Sequence, residues 1–354
     1  MVGLRVGESQ ERLQIITVIE ETFHEERVAE HLSIISPGFR MENRRKLSDV
    51  KGIRGALYRW RQARARSALA ARGVTNFLRL RLNGSGSHPP IAAVVVGRND
   101  DYMSDFAERL HATVEWNVRY LVNEVVFVEW NPPDDRNLLS YELSRRFKCL
   151  RAYVVPPATH QRLCRNENIK LLEYHAKNVG VRRAQASWIM TTNADAAVGF
   201  DSVRNILGAE LDPEIVWTAE RFDIPWVENQ QKAIGLIDSL RFRRPIPYHM
   251  LGTGEFCLAS KELWHRVRGY DEGMVRHRIG CDRRGTAQML AHGATIKRVG
   301  TVLHLTHPTS CTESVQPHHG ELATVEGVPY QNDDDWGLGN LHEVELADRV
   351  WRLE

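Results

Sequence analysis

The sequence is poor in cysteine and in long apolar runs. Of 354 residues only five are cysteine (Cys149, Cys164, Cys257, Cys281, Cys311), an odd number, widely spaced and without a CxxC pair. That spacing excludes a zinc ribbon or finger, argues against a disulfide framework and fits a reducing compartment. No apolar run approaches the roughly 18 residues of a membrane-spanning helix. The first residues, Met1-Val2-Gly3-Leu4-Arg5-Val6-Gly7-Glu8, lack the apolar centre of a secretion signal, so a cytoplasmic location is expected. Neither charge sign is in excess: 47 basic residues against 45 acidic leave a net charge of +2, which by itself says nothing about partners. Disorder is excluded by what is present. Nine Trp, 9 Tyr and 10 Phe in a 42% hydrophobic chain suffice for a large core, and the length predicts one large domain with an accessory part, or two domains.

The charge is unevenly placed. Between residues 8 and 30 seven acids face two bases; between 40 and 82 thirteen bases face only Glu42 and Asp49. Both stretches mix aliphatic residues with charge at helical spacing, and 57–71 reads as a basic amphipathic helix. Asn83-Gly84-Ser85-Gly86-Ser87-His88-Pro89-Pro90 follows, a flexible segment closed by two prolines. The expected division is a helical, charged accessory region over 1–85 and a second domain over 86–354. The basic helix has three readings: a solvated face pairing with the acidic stretch within the chain or in a homodimer, a peripheral contact with anionic lipid at the inner face of a membrane, or nucleic-acid binding. The last has no reader motif behind it, and no nucleic acid is expected.

Beyond residue 90 the pattern changes. Residues 91–97 (IAAVVVG) form a wholly apolar run, as a strand buried on both faces requires, and 124–129, 152–155 and 187–192 repeat it. Helices are expected from Ser104 to about residue 121 and over 171–186. Strands alternating with helices at this spacing predict an α/β fold with a parallel sheet, whose ligands bind at the carboxyl ends of the strands. Those ends carry Arg98-Asn99-Asp100-Asp101, Glu129-Trp130-Asn131 and Thr192-Asn193-Ala194-Asp195.

Lys177-Asn178-x-Gly180-x-Arg182-Arg183-Ala184, then Trp188-Ile189 and Thr192-Asn193-x-Asp195, resembles the core of GT-A glycosyltransferases of the family-2-like group. Gly254-Glu255-Phe256, Arg268-Gly269-Tyr270-Asp271-Glu272 and Asp282 resemble the family's second motif stretch, with a galactosyltransferase-type C-terminal segment. Leu303-His304-Leu305-Thr306-His307-Pro308 resembles its histidine-bearing closing segment. The resemblance covers about residues 91 to 310, and one departure is plain: the family's D-x-D is N-x-D here, leaving Asp195 as the matching carboxylate.

The resemblance implies a GT-A fold with a mostly parallel central sheet. It further implies transfer of a sugar from a UDP- or GDP-sugar to a hydroxyl of a glycan, glycolipid or small acceptor. Mn²⁺ or Mg²⁺ is the expected cofactor, held by Asp195 with His304 or His307, because hard cations take carboxylate oxygen and Mn²⁺ accepts imidazole as well. The two histidines are expected on one face of one strand. Asp282 is the expected acceptor-side base, with Glu255 its rival. Arg98, Asn99, Glu129, Lys177, Arg182, Asn193, Ala194 and Asp195 are the expected donor-binding residues, and Asp333-Asp334-Asp335-Trp336 is expected to be a surface turn anchored by its tryptophan. Two other functions fit parts of the pattern. A nucleotidyltransferase also uses a strand-end acid, but needs a better phosphate loop than Gly97-Arg98-Asn99-Asp100. An inactive sugar-nucleotide or glycan-binding protein would account for the N-x-D.

Overall fold

A computed structural model describes residues 88–100, 102–225, 241–242, 254–276, 280–307 and 329–354. The accessory region, its basic helix and the boundary near residue 85 lie outside the described residues.

The sheet grows outward from β1 (Ile91–Gly97), every residue of which is buried. It pairs in parallel with β2 (Glu124–Trp130) on one side and β4 (Trp188–Asn193) on the other; β3 (Leu150–Val155) joins beyond β2, also in parallel. Alternation divides the side chains between two cores. Ala92, Val94, Val96, Val126 and Val128 face one; Ile91, Ala93, Val95, Val125 and Phe127 face the other. Each fully buried aliphatic side chain contributes roughly 1.5–3 kcal/mol, so a strand apolar on both faces is stable only at the centre of the sheet. Helices α1 (Phe106–Tyr120), α2 (Leu139–Arg146), α3 (Pro157–Leu163) and α4 (Glu173–Arg183) connect these strands. The strands and helices expected between residues 91 and 192 are all present, with ends that agree to within three residues.

The parallel order does not continue across the whole sheet. β8 (Phe256–Ser260) runs antiparallel to both β4 and β6 (Ile215–Pro225), β6 pairs in parallel with the long β9 (Thr295–Thr306), and the short β5 (Ala196–Val198) closes that edge antiparallel to β9. β7 (Arg241–Phe242) pairs with β6. At the far edge the C-terminal hairpin β10 (Glu343–Ala347) and β11 (Val350–Leu353) adds to β3, with β11 parallel to it. α5 (Phe200–Leu207), α6 (Lys261–Val267) and α7 (Cys281–Ala291) complete the layers. The fold is α/β, its sheet built on a parallel centre.

Two motif glycines are required by close approach. A Cβ on Gly180 would lie 2.4 Å from Val94 Cγ1, so glycine lets α4 sit directly on β1. Gly269, at φ +73°, leaves room for the Asn178 amide. Asn178 in turn donates to Tyr270 O at 2.8 Å and Glu272 Oε1 at 2.9 Å, and accepts from Tyr270 N at 2.7 Å. The helix motif and the Gly-Tyr-Asp-Glu motif, about ninety residues apart in the chain, are therefore one structural joint. Among the described residues no helix is long and apolar enough to cross a membrane.

Candidate metal centre and its surroundings

β4 ends at Asn193, and the turn through Ala194 and Asp195 leads straight into β5. Pairing of β5 with β9 sets Ala196 opposite His304, and Leu305 N donates to Asp195 O at 2.9 Å. Backbone pairing thus delivers a carboxylate and an imidazole to the same place. α1 holds this backbone from behind with three side chains four residues apart on one helix face. Arg109 donates to Leu305 O and Thr306 O, both at 3.1 Å; Thr113 donates to Ala194 O at 2.6 Å; Asn117 donates to Ala196 O at 3.1 Å and accepts from Val198 N at 2.9 Å. All three are buried. This buried polar stripe on a core-facing helix was visible in the sequence and carries the metal loop, yet resemblance to motifs does not single it out.

Asp195, His304 and His307 offer one ligand atom each, all within 4.8 Å of one another. Asp195 Oδ2 is 2.9 Å from His307 Nε2 and 3.5 Å from His304 Nε2. Burial would raise the Asp195 pKa, but hydrogen bonds from both histidines and their charge outweigh it and hold the carboxyl well below the usual carboxylate range. The two histidines do not share a strand face, which corrects the expectation of both on one face of one strand. They are three residues apart, which on an extended strand means opposite faces. They converge because β9 ends at Thr306 and His307 has already left it.

On the other side of His304 stands a group that motif matching missed. Asp223, on β6, has Oδ1 2.9 Å from His304 Nδ1. Arg221, two residues earlier and so on the same strand face, donates from Nε to Asp223 at 2.8 Å, from Nη1 to Glu255, and approaches His304 Nδ1 with Nη2 at 2.7 Å. Burial would raise the Asp223 pKa; the bonds from His304 and Arg221 instead draw it down to about 2. Burial would lower that of His304; its bonds to Asp195 and Asp223 raise it. The facing of Asp223 and His304 depends on a bulge. Up to Thr218 each β6 residue pairs with the residue eighty further on, after it with the one eighty-one further on, and the extra residue of β9 is followed by Gly300 at φ +150°. Without the bulge Leu303 would stand opposite Asp223.

Glu255 lies just before β8, its backbone oxygen accepting from Thr192 Oγ1 at 2.8 Å and its carboxylate on Arg221. Asp282 is half-buried in the first turn of α7. Burial, with the nearby charges of Glu255 and Glu173, pushes its pKa up to about 6 against the opposing pull of the Arg283 N–H and Lys177. Asn193 accepts from Lys177 Nζ at 2.9 Å, and Lys177 also donates to Glu173 Oε1 at 2.8 Å and Gly254 O at 2.7 Å.

Several expected donor-binding residues have other work. Lys177 is fully buried with three acceptors around its ammonium, which ties α4 to the ends of β4 and β8 and leaves it no proton for a phosphate. Glu129, also fully buried, accepts from Leu139 N at 3.1 Å, Ser140 N at 2.8 Å and Ser140 Oγ at 2.7 Å. It caps the start of α2, and burial raises its pKa despite those bonds. Arg182 donates to Asp334 O and Trp336 O, each at 2.9 Å, and so anchors the C-terminal segment; Trp336 is buried as expected of an anchor. At the end of β1, Arg98 pairs with Asp100 at 3.2 Å and Asn99 donates to Asn137 O at 2.9 Å. Ala194 contributes only its backbone. Of the sequence candidates, Asp195, His304 and His307 come together, Glu255 adjoins them through Arg221, and Asp282 lies within electrostatic reach of Glu255. Asp271 and Glu272 of the Gly-Tyr-Asp-Glu motif accept from Arg284 and from Gly337 N respectively. Trp226, expected from the sequence either beside an acceptor groove or in the core, and His318-His319, expected in a loop, lie outside the described residues.

Fold and site together define an α/β protein with a candidate divalent-metal centre of one carboxylate and two imidazoles at a strand end. No family model matches the chain, and no curated protein matches it. Among solved structures the chain is similar to GalNAc-T7 crystallised with UDP, GalNAc and Mn²⁺, at 14% identity and TM-score 0.44, over 66% of this chain and 46% of that one. It is also similar to the mannosyltransferase PcManGT from Pyrobaculum calidifontis in complex with GDP-Man and Mn²⁺, at 15% identity and TM-score 0.40, over 74% of this chain and 71% of that one. The chain spans less than half the length of the first.

Proposed function

We propose that the chain is a metal-dependent glycosyltransferase of the GT-A class. It would move a sugar from a nucleoside-diphosphate sugar, UDP- or GDP-linked, to a hydroxyl of a glycan, glycolipid or small acceptor. The observation that carries this reading is the convergence of Asp195, His304 and His307, whose ligand atoms lie within 4.8 Å of one another beside the carboxyl end of β4. One oxygen and two nitrogens suit Mn²⁺ better than Mg²⁺, which prefers an all-oxygen shell. A divalent cation there would offset the negative charge growing on a departing nucleoside diphosphate.

The chain's own residues supply the rest. Asp282 is the preferred base for the acceptor hydroxyl: a carboxyl whose pKa is pushed up to about 6 is still ionised at neutral pH and holds a proton better than an ordinary aspartate. Glu255 is less suited, because its carboxylate is engaged by Arg221. Asn193, oriented by Lys177, is the side chain of the metal loop left to meet the nucleotide. Arg98 and Asn99 follow β1 on the same rim, although the pairing of Arg98 with Asp100 speaks against the free phosphate-loop cation of a nucleotidyltransferase.

The test is a thermal-shift screen of UDP-, GDP-, dTDP- and CMP-sugars with and without Mn²⁺. Ligand at a hundred times its Kd stabilises the folded state by about 2.7 kcal/mol. A shift that needs both Mn²⁺ and one nucleotide class is expected; no shift with any donor would defeat the reading.

A further inference from the structure

We propose that Asp223 is a positioning residue that sets which nitrogen of His304 carries the proton, and thereby keeps Nε2 available to a metal. The proposal rests on the reading of Asp195, His304 and His307 as a divalent-metal centre. A neutral imidazole has one proton, and its metal-binding nitrogen must present a lone pair. Nε2 is the nitrogen turned toward Asp195, at 3.5 Å, and a cation held there with Asp195 would take the place of any proton shared between them, leaving the ring's single proton on Nδ1. Asp223 Oδ1, 2.9 Å from Nδ1, accepts that proton's hydrogen bond.

What makes the arrangement more than a common carboxylate–imidazole contact is its competitor. Arg221 Nη2 lies 2.7 Å from the same Nδ1, and a guanidinium only donates. Nδ1 cannot donate to Asp223 and accept from Arg221 at once. A proton accepted from Arg221 would force the ring's own proton onto Nε2, where it would block a cation. Asp223 decides between the two states, because its carboxylate both accepts from Nδ1 and draws Arg221 to itself through Nε at 2.8 Å, while Glu255 holds Nη1. Without Asp223 the nearest remaining partner of Nδ1 is a donor, and the ring changes tautomer. Neither Asp223 nor Arg221 is needed as a ligand for this; they act through His304.

The experiment uses the full chain and its variants Asp223→Ala and Asp223→Asn. Mn²⁺ affinity is read by electron paramagnetic resonance of the free ion. The His304 tautomer is read on metal-free protein by ¹⁵N–¹H imidazole correlation above the ring's pKa, with His304→Gln assigning the signal. Asp223→Ala is expected to weaken Mn²⁺ binding by about tenfold to a hundredfold and, with Asp195 then the one carboxylate left beside the ring among the described residues, to shift the neutral His304 population toward the Nε2-protonated tautomer. Asp223→Asn, whose amide oxygen still accepts from Nδ1, is expected to keep the tautomer and lose less affinity. It also carries the test if the alanine variant does not fold. Wild-type affinity in both variants, or a His304 tautomer population that Asp223→Ala leaves unchanged, would overturn the positioning role while leaving the metal reading intact. No Mn²⁺ binding by the unmodified chain would overturn both.

Discussion

Asp223 and His304 stand directly opposite each other on parallel strands β6 and β9, with Oδ1 and Nδ1 2.9 Å apart. Eighty-one residues separate them in sequence. The contact joins the candidate ligand cluster to Arg221 and through it to Glu255, with Asp282 next in line electrostatically.

Asp195→Ala removes the only carboxylate of the ligand cluster. Mn²⁺ binding and metal-dependent donor turnover are expected to disappear, while circular dichroism remains that of the folded chain, because the loop backbone stays held by Thr113 and Leu305. Full turnover in this variant would remove Asp195 from the metal site.

Gly300→Ala tests the bulge. A Cβ there would meet Ser202 Oγ at 2.7 Å and Ser202 N at 2.8 Å, at a φ that side chains avoid. A stability loss of about 1–3 kcal/mol is expected in denaturant titration. Mn²⁺ affinity should fall as well, since the register that brings His304 to Asp223 is set at this residue. Unchanged stability and unchanged affinity would show that the bulge does not matter to the site.

Asp282 predicts a pH dependence with opposite signs for activity and stability. As a base it works ionised, so transfer is expected to rise with pH through about 6 and to be lost below it. Its raised pKa means that the folded state favours the protonated form. The group's stabilising contribution is therefore complete below the ordinary aspartate pKa and lost as pH rises through about 6. Asp282→Asn is accordingly expected to spare donor binding, abolish transfer and raise stability at neutral pH, by on the order of 3 kcal/mol at most. Unimpaired transfer would move the base elsewhere, with Glu255 the next candidate.

Glu129→Gln separates a helix cap from a ribose contact. An amide would turn a donor toward the Leu139 and Ser140 N–H groups, and a loss of about 1–3 kcal/mol is expected with unaltered nucleotide affinity. A selective loss of nucleotide affinity with stability unchanged would restore the ligand-contact role.

The strands β1 to β4, the helices α1 and α4 and the order of the site motifs were legible in the sequence, because burial on both faces demands apolar runs, and Asn-x-Asp, an ordinary turn pattern by itself, gains meaning from the buried strand it follows. Asp195 and the two histidines were singled out by the resemblance of their segments to glycosyltransferase motifs. What tertiary structure alone decided is which charges meet. Lys177 and Arg182 look like phosphate-binding cations until their acceptors, drawn from β4, from Gly254 and from the C-terminal turn, are seen around them. Glu129 looks like a strand-end ligand until α2 folds over it. Asp223 and Arg221 carry no local mark, since their meaning comes from the parallel pairing of β6 with β9 and from one extra residue at Gly300 that shifts the register. Local composition sets which segments must be buried, whereas the partner of a buried charge is set by whichever distant backbone is brought within 3 Å of it.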